Sequence, residues 1–502
     1  MRVNIATTIG RAICAALGSV RKRVASPRKA DNVTLAQILN GLTTPLPRTR
    51  IFADSYGRIT KMFLMIGPYA SGEARAQLLG EYGIFFSRLE PDTKFVVMYQ
   101  TDQDKSDVEQ VISANKVTNP ERIEFLKADL DITIWARDCM VCLYLPDDPT
   151  RTAVLNKTPL HFWQTGSPLV PPALTAFDKT IVLVNDPFIV TDGGDVESDT
   201  EHAYVGDYSL VLTAMKIYGA LEQDAALKTK AFAYYQKRSG GKVIVEPQAG
   251  DMHFPFLKQT VEDGALTPDP QFKRVDLGAG KITYEQALEE LAAWLFEEHF
   301  DKPVRVMGRD DPHNPSVELE DATDHLDMGM TAVDDEVFFV GSAALGKQIL
   351  ASLSPSERDS LQANASAFYA AHGVADYKLP EVEPQGAFEP RNRGNEDDFQ
   401  AYVDWLKTWG KRVKRVPCLE PPQPGLPYYT GDNCDMQRFE RDGKKVRNVF
   451  LPVVGVKTWD DAFSAPYEEE GFEVIPVPMS EVLAMLGAVR CTSNWLDRSP
   501  RG

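Results

Sequence analysis

Residues 61–99 run KMFLMIGPYASGEARAQLLGEYGIFFSRLEPDTKFVVMY. Lys61–Met65 and Lys94–Tyr99 (KFVVMY) have the length and the apolar content of buried strands, and Glu73–Leu89 between them has the period of a helix. Strand, helix and strand in that order set the class as α/β. The same punctuation extends outward. Arg122–Leu126, Ile132–Trp135, Met140–Leu145 and Ile181–Val184 are short apolar runs bounded by Asp, Pro or Gly and are predicted as strands. Thr283 and Gln286 form a capping-box pattern ahead of a predicted helix at Tyr284–Phe300, with Ala287, Leu288, Leu291 and Leu295 on one face. A second helix is predicted at Asp397–Trp409, with Phe399, Val403 and Leu406 in register and Gly410 as its stop.

The sequence has 502 residues, 43% hydrophobic and 25% charged, which is a globular composition and excludes disordered, collagen-like and coiled-coil classes. Its net charge of −18 argues against sequence-independent binding to nucleic acid or to an anionic membrane, since both need a positive footprint. It suits attraction of a cation. No uncharged apolar stretch approaches the roughly 20 residues of a spanning helix. Six scattered cysteines are too few for a disulfide scaffold and point to reduced thiols in a cytoplasm-like compartment. The first 30 residues are different: they carry +7 and no acid, leaving −25 on the rest. Residues 1–45 are therefore expected to be a flexible basic tail, with an export or targeting segment as the other reading. Residues 46–502 are expected to form one domain, with helical insertions at 215–300 and 352–430. The second insertion carries Pro380, Pro384 and Pro390, then Pro417, Pro421, Pro422, Pro424 and Pro427, and this last cluster is predicted as a loop or linker and not a strand. No strict repeat of 20–50 residues stands out.

Four places could carry chemistry. Cys491 follows Gly487-Ala-Val-Arg490, and Arg490 beside it is expected to favour the thiolate, whereas a lone buried Cys is more often plain packing. His325 and Asp327, in Asp324-His-Leu-Asp327, would share a face if they lay on a strand; the bland alternative is a solvated acidic loop. Asp192 opens Asp-Gly-Gly-Asp after an apolar run, where two glycines let the turn bring a carboxylate into a cleft, or simply make a hairpin. The acids at 192, 195, 197 and 199 lack the spacing of a calcium loop. Asp138 closes Trp135-Ala-Arg-Asp138, where a surface Arg–Asp pair is the competing reading. One decoy stands apart: Gly341-Ser-Ala-Ala-Leu-Gly-Lys-Gln348 has phosphate-loop spacing, but Gln348 replaces the hydroxyl that should meet Mg²⁺.

The order WARD (135–138), DGGD (192–195), HLD (325–327) and GAVRCTSN (487–494) resembles the guanidino-group-modifying superfamily, the five-bladed pseudo-symmetric α/β propeller (pentein) enzymes. These include arginine, agmatine and protein-arginine deiminases and the amidinotransferases. The resemblance implies that Cys491 is the nucleophile, His325 the proton donor and acceptor, and Asp192 its partner. Asp138 and Asp327 would be the guanidinium-binding carboxylates, with Trp135 and Arg490 as further substrate contacts. Asp192 stands where the small-molecule deiminases usually have Glu and the amidinotransferases have Asp. The implied activity is hydrolysis of free, decarboxylated or peptidyl arginine to a ureido product and ammonia, with amidino transfer as the alternative and nucleotide binding at Gly341–Gln348 as a remote one. Neither path calls for a metal or an organic cofactor. The expected partner is a guanidine-containing small molecule or a protein arginine, and a homo-oligomer is compatible with this reading.

Overall fold

The structure is a computed structural model describing residues 33–160, 166–245, 277–308, 310–311, 314–318, 325–371, 390–419 and 429–501. The predicted strand, helix and strand appear as Arg58–Ile66, Gly72–Arg88 and Lys94–Tyr99. The two strands are parallel, from Lys61 opposite Lys94 to Ile66 opposite Tyr99. Parallel neighbours need a crossover, and the helix supplies it while burying Leu78, Tyr82, Phe85 and Phe86 on one face. Ile123–Lys127 extends the sheet in parallel, and Ser493–Ser499 closes its other side antiparallel to Arg58–Ile66.

The same connection occurs in five sheets: an antiparallel pair, then a crossover to a parallel third strand. In the second sheet Val141–Tyr144 pairs antiparallel with Thr152–Thr158, which runs parallel to Ile181–Val190. In the third, Val196–Ser198 pairs with Ala203–Gly206, which runs parallel to Val304–Met307. In the fourth, Met330–Ala332 pairs with Val337–Ser342, which runs parallel to Arg412–Leu419. In the fifth, Asp435–Arg441 pairs with Lys444–Val453, which runs parallel to Glu473–Pro478. The crossovers vary widely in length, which is why a structural repeat leaves no fixed period in the sequence.

Two of these crossovers explain the predicted insertions. Asp207–Gln223, Ala225–Ser239 and Tyr284–Phe300 belong to the third sheet's connection. Tyr284–Phe300 has the predicted capping box, and Leu288, Leu291 and Leu295 are fully buried, each contributing about 1.5–3 kcal/mol. Ala343–Ser352, Pro355–Ala371 and Pro390–Thr408 lie in the fourth sheet's connection. Gly410 follows with φ of 78°, the left-handed geometry of a helix stop. The predicted insertion boundary at 430 does not hold, because Arg412–Leu419 and Tyr429–Thr430 are strands of the fourth sheet. Pro417 lies within the first of them, not in a linker. It is the last residue paired with the parallel neighbour, and Cys418 the first paired with the antiparallel one, so the missing N–H falls where the strand changes partner. Pro380, Pro384, Pro421, Pro422, Pro424 and Pro427 lie outside the described residues, as do residues 1–32 of the predicted tail. The tail boundary also moves: Leu35–Leu39 is a capped helix with Leu35 and Leu39 buried in a core shared with Tyr284–Phe300.

Ile132–Trp135 is not a strand. Its neighbourhood spends backbone groups on turns, with Ala136 N–H donating to Ile134 O and Arg137 N–H to Cys491 O. Among the described residues no helix is long and apolar enough to cross a membrane.

Candidate active site

In each of the five sheets a candidate or neighbouring polar residue stands two to four positions ahead of the first strand of the antiparallel pair. Asp138 precedes Val141–Tyr144, Asp192 precedes Val196–Ser198, and His325 and Asp327 precede Met330–Ala332. Cys491 precedes Ser493–Ser499. The fifth loop, before Asp435–Arg441, places Asn433, which the sequence reading did not single out.

These side chains meet. Donor atoms of His325, Asp327 and Cys491 lie within 4.8 Å of one another, as do those of Asp138, Asp192 and His325. Cys491 Sγ is 3.9 and 4.0 Å from the two Asp327 oxygens. His325 Nδ1 is 3.8 Å from Asp138 Oδ1, and Nε2 is 3.5 Å from Asp192 Oδ2. His325 and Asp327 share a face, but through a tight turn at Leu326–Met328 and not through strand alternation.

The glycines of the DGGD turn have a steric purpose. A Cβ on Gly193 would collide with the carbonyl oxygen of Arg137, and one on Gly194 would sit 2.7 Å from His325 Nδ1 and 3.0 Å from an Asp327 oxygen. Only bare backbone lets this turn pass so close to both catalytic candidates. Asp192 is held from behind by Lys157, whose Nζ donates to Asp192 Oδ1 at 2.6 Å and to the Asp138 carbonyl at 2.5 Å. Lys157 lies on a strand with no motif around it, so nothing local in the sequence marked it. The neighbouring acids go separate ways instead of converging on one point: Asp195 accepts from Ser209, Glu197 meets Arg490, and Asp199 meets Lys411.

Electrostatics here differ from the sequence expectation. Burial pushes the Cys491 thiol up to about 12, with Asp327 adding and His325 opposing. The ion-pair partners of Arg490 are carboxyl groups and not the thiol. Its guanidinium is buried and turned away, 3.0 Å from both Asp54 Oδ1 and Glu197 Oε1, with Nε 3.4 Å from Asp327 Oδ2. Arg490 thus steadies Asp327. Asp54 lies below the usual carboxylate range despite its burial, helped by Arg490, whereas burial holds Glu197 well above it. Burial opposes charge on His325, yet Asp138, Asp192 and Cys491 together raise its pKa well above the ordinary value. Asp138 is pushed up to about 7, chiefly by burial, with Asp192 and Asp327 adding and His325 opposing. Burial thus favours the neutral form of the thiol, while the surrounding carboxyl groups favour the charged form of the imidazole.

Trp135 packs its ring over Gly487, where any side chain would overlap the indole, so it flanks the segment that carries Cys491. The phosphate-loop decoy is a strand running straight into a helix. The helix N-terminus is already satisfied by Glu396, which accepts from Ala344 N–H at 3.0 Å and Ser342 Oγ at 3.2 Å, and Gly346 is needed for close packing on Cys418. A carboxylate stands where a phosphate would bind.

No family model and no curated protein matches the chain. Solved structures do. The agmatine deiminase of Enterococcus faecalis is similar at 11% identity and a TM-score of 0.49, over 95% of this chain and all of that one. The agmatine deiminase of C. jejuni with substrate bound is similar at 11% identity and a TM-score of 0.47, over 89% of this chain and 95% of that one. SxtG, an amidinotransferase from Microseira wollei, is similar at 8% identity and a TM-score of 0.35, over 90% of this chain and 97% of that one.

Proposed function

We propose that the protein is a cysteine-dependent enzyme that hydrolyses a guanidino group to a ureido group and ammonia, with the five sheets arranged as blades around one central site. The observation that carries this reading is the convergence of Cys491, His325, Asp138, Asp192 and Asp327 from four separate loops. The fivefold recurrence of one strand connection, with a site residue at the head of each sheet's antiparallel pair, supports the propeller arrangement. On this reading residues 46–502, with the packed helix Leu35–Leu39, act as one catalytic domain, and the helices in the long crossovers of the third and fourth sheets flank its entrance.

The chemistry follows from the charges. Guanidinium is flat and permanently cationic, so Asp138 and Asp327 can clamp its nitrogens, and Trp135 offers an apolar wall beside it. A cation entering beside the sulfur lowers the thiol pKa, and the proton leaves to solvent. The thiolate of Cys491 attacks the central carbon, forming a C–S bond while the C=N electron pair moves onto nitrogen. The tetrahedral adduct collapses, the C–N bond breaks, and His325 gives its proton to the departing ammonia. Water then adds to the amidino-thioether carbon as His325, now neutral, takes a proton from it. The C–S bond breaks, the hydroxyl proton passes to the departing sulfur, the ureido product leaves, and the thiol and imidazolium are restored. Asp192 holds His325 in line throughout, backed by Lys157.

Amidino transfer begins with the same attack, but the parent amine leaves in place of ammonia and an acceptor amine then takes the place of water at the amidino-thioether; Asp192 at the imidazole is the feature that favours it through the resemblance. Incubation with arginine, agmatine and an arginine peptide separates the two: a ureido product with ammonia supports hydrolysis, and release of the parent amine with a guanidylated acceptor supports transfer. Mass spectrometry after 2-chloroacetamidine treatment should place the adduct on Cys491 alone. Undiminished turnover in Cys491→Ser would overturn both.

A further inference from the structure

We infer that Asn433 is a positioning residue for the Cys491 thiolate, an inference that rests on the reading of Cys491 as nucleophile. Its carboxamide is fully buried. Oδ1 accepts from the backbone N–H of Arg490 at 3.1 Å and of Cys491 at 3.4 Å. Those two donors fix which end of the amide is oxygen, so Nδ2 must face the other way. There it donates to Cys491 Sγ at 3.1 Å and to the Asp327 carbonyl at 3.3 Å. One side chain thus bridges the nucleophile and a guanidinium-binding candidate, and offers the sulfur an uncharged N–H.

The turn that carries Asn433 is anchored on several sides. Thr430 Oγ1 accepts from Asp432 N–H and donates to the Met328 carbonyl, each at 3.0 Å. Thr331 donates to the Asp432 carbonyl, and Tyr467 Oη donates to the Gly431 carbonyl at 2.7 Å. Asn433 also occupies, before the fifth sheet, the place that Asp138, Asp192, Asp327 and Cys491 occupy before the other four. The fifth loop therefore supplies the thiolate with a hydrogen bond where the others supply charge or nucleophile. A donor to sulfur favours the ionised form, which matters most for a thiol that burial pushes up to about 12.

The test is the alkylation rate of Cys491 by iodoacetamide, a neutral reagent, between pH 7 and 9. Asn433→Asp keeps the shape and both accepted N–H bonds but turns an oxygen toward the sulfur. It is expected to slow alkylation about 10- to 100-fold at each pH, equivalent to about one to two units in thiol pKa. Asn433→Ala introduces no buried charge and is expected to slow it in the same direction. A purely structural Asn433 gives the opposite sign, because loosening the loop exposes a buried thiol and speeds alkylation. Rates equal to or above those of the unaltered protein in either folded variant overturn the proposal. The function itself is read separately: if 2-chloroacetamidine labels the unaltered protein no faster than iodoacetamide, the guanidine reading fails, whatever Asn433 does.

Discussion

Substituting Gly194 by alanine adds one methyl group at the most crowded point of the site. The new Cβ would stand 2.7 Å from His325 Nδ1 and 3.0 and 3.1 Å from the Asp327 oxygens, where ordinary contact starts near 3.4 Å. The imidazole cannot swing aside freely, since Asp138 and Asp192 flank its two nitrogens. Relief therefore requires His325 or the turn to shift by several tenths of an ångström. Overpacking of this kind costs about 1–3 kcal/mol in stability. A displacement approaching 1 Å between reacting groups lowers the rate by about 100-fold. The inactivation rate by 2-chloroacetamidine measures this whichever guanidine is the substrate, with thermal denaturation alongside. Gly219→Ala is the control: it lies within the helix Asp207–Gln223 with open space around it and should raise stability by up to about 1 kcal/mol without slowing inactivation. If Gly194→Ala is inactivated within twofold of the unaltered rate at an unchanged Tm, the placement of His325 and Asp327 against this turn is wrong.

Asp195 is buried and pushed up to about 7, chiefly by burial, with Asp192 and Asp327 adding while Ser209 and His325 oppose. Its folded pKa therefore exceeds the unfolded value of about 3.9, the folded state holds the extra proton, and this group's contribution to stability falls as pH rises from about 4 to 7. Asp195→Asn should flatten that decline in a Tm-against-pH series, and an unchanged slope would refute it. Arg490→Met leaves Asp54, Glu197 and Asp327 without their shared cation and should cost about 3–5 kcal/mol in chemical denaturation, because an unpaired buried charge is expensive. A loss below 1 kcal/mol would show that the network is not structural.

The elements that were legible in the sequence were those whose burial is local. Tyr284–Phe300 and Lys94–Tyr99 match their predicted spans because capping and apolar period are properties of neighbouring residues. Ile132–Trp135 misled because its apolar side chains are buried while its neighbours' backbone bonds go into turns, including one to Cys491 far along the chain. The same limit applies to the site. Cys491, His325, Asp138 and Asp192 sit in recognisable strings, whereas Asn433 and Lys157 act through partners distant in sequence. The direction in which Arg490 points was also invisible. Adjacency to Cys491 suggested a cation serving the thiol, but Asp54 and Glu197, brought in by the fold, draw the guanidinium the other way.

The strand Ser493–Ser499 completes the first sheet by pairing with Arg58–Ile66 near the opposite end of the described chain. Such a closure is slow, since the longest loop must be ordered before its contacts give anything back. The sulfur lies just ahead of that clasp, so the centre is complete only once Ser493–Ser499 has docked. Partly folded chains that lack this docking would have the acidic half of the site but no competent thiol, and recovery of amidine reactivity during refolding becomes a clock for it.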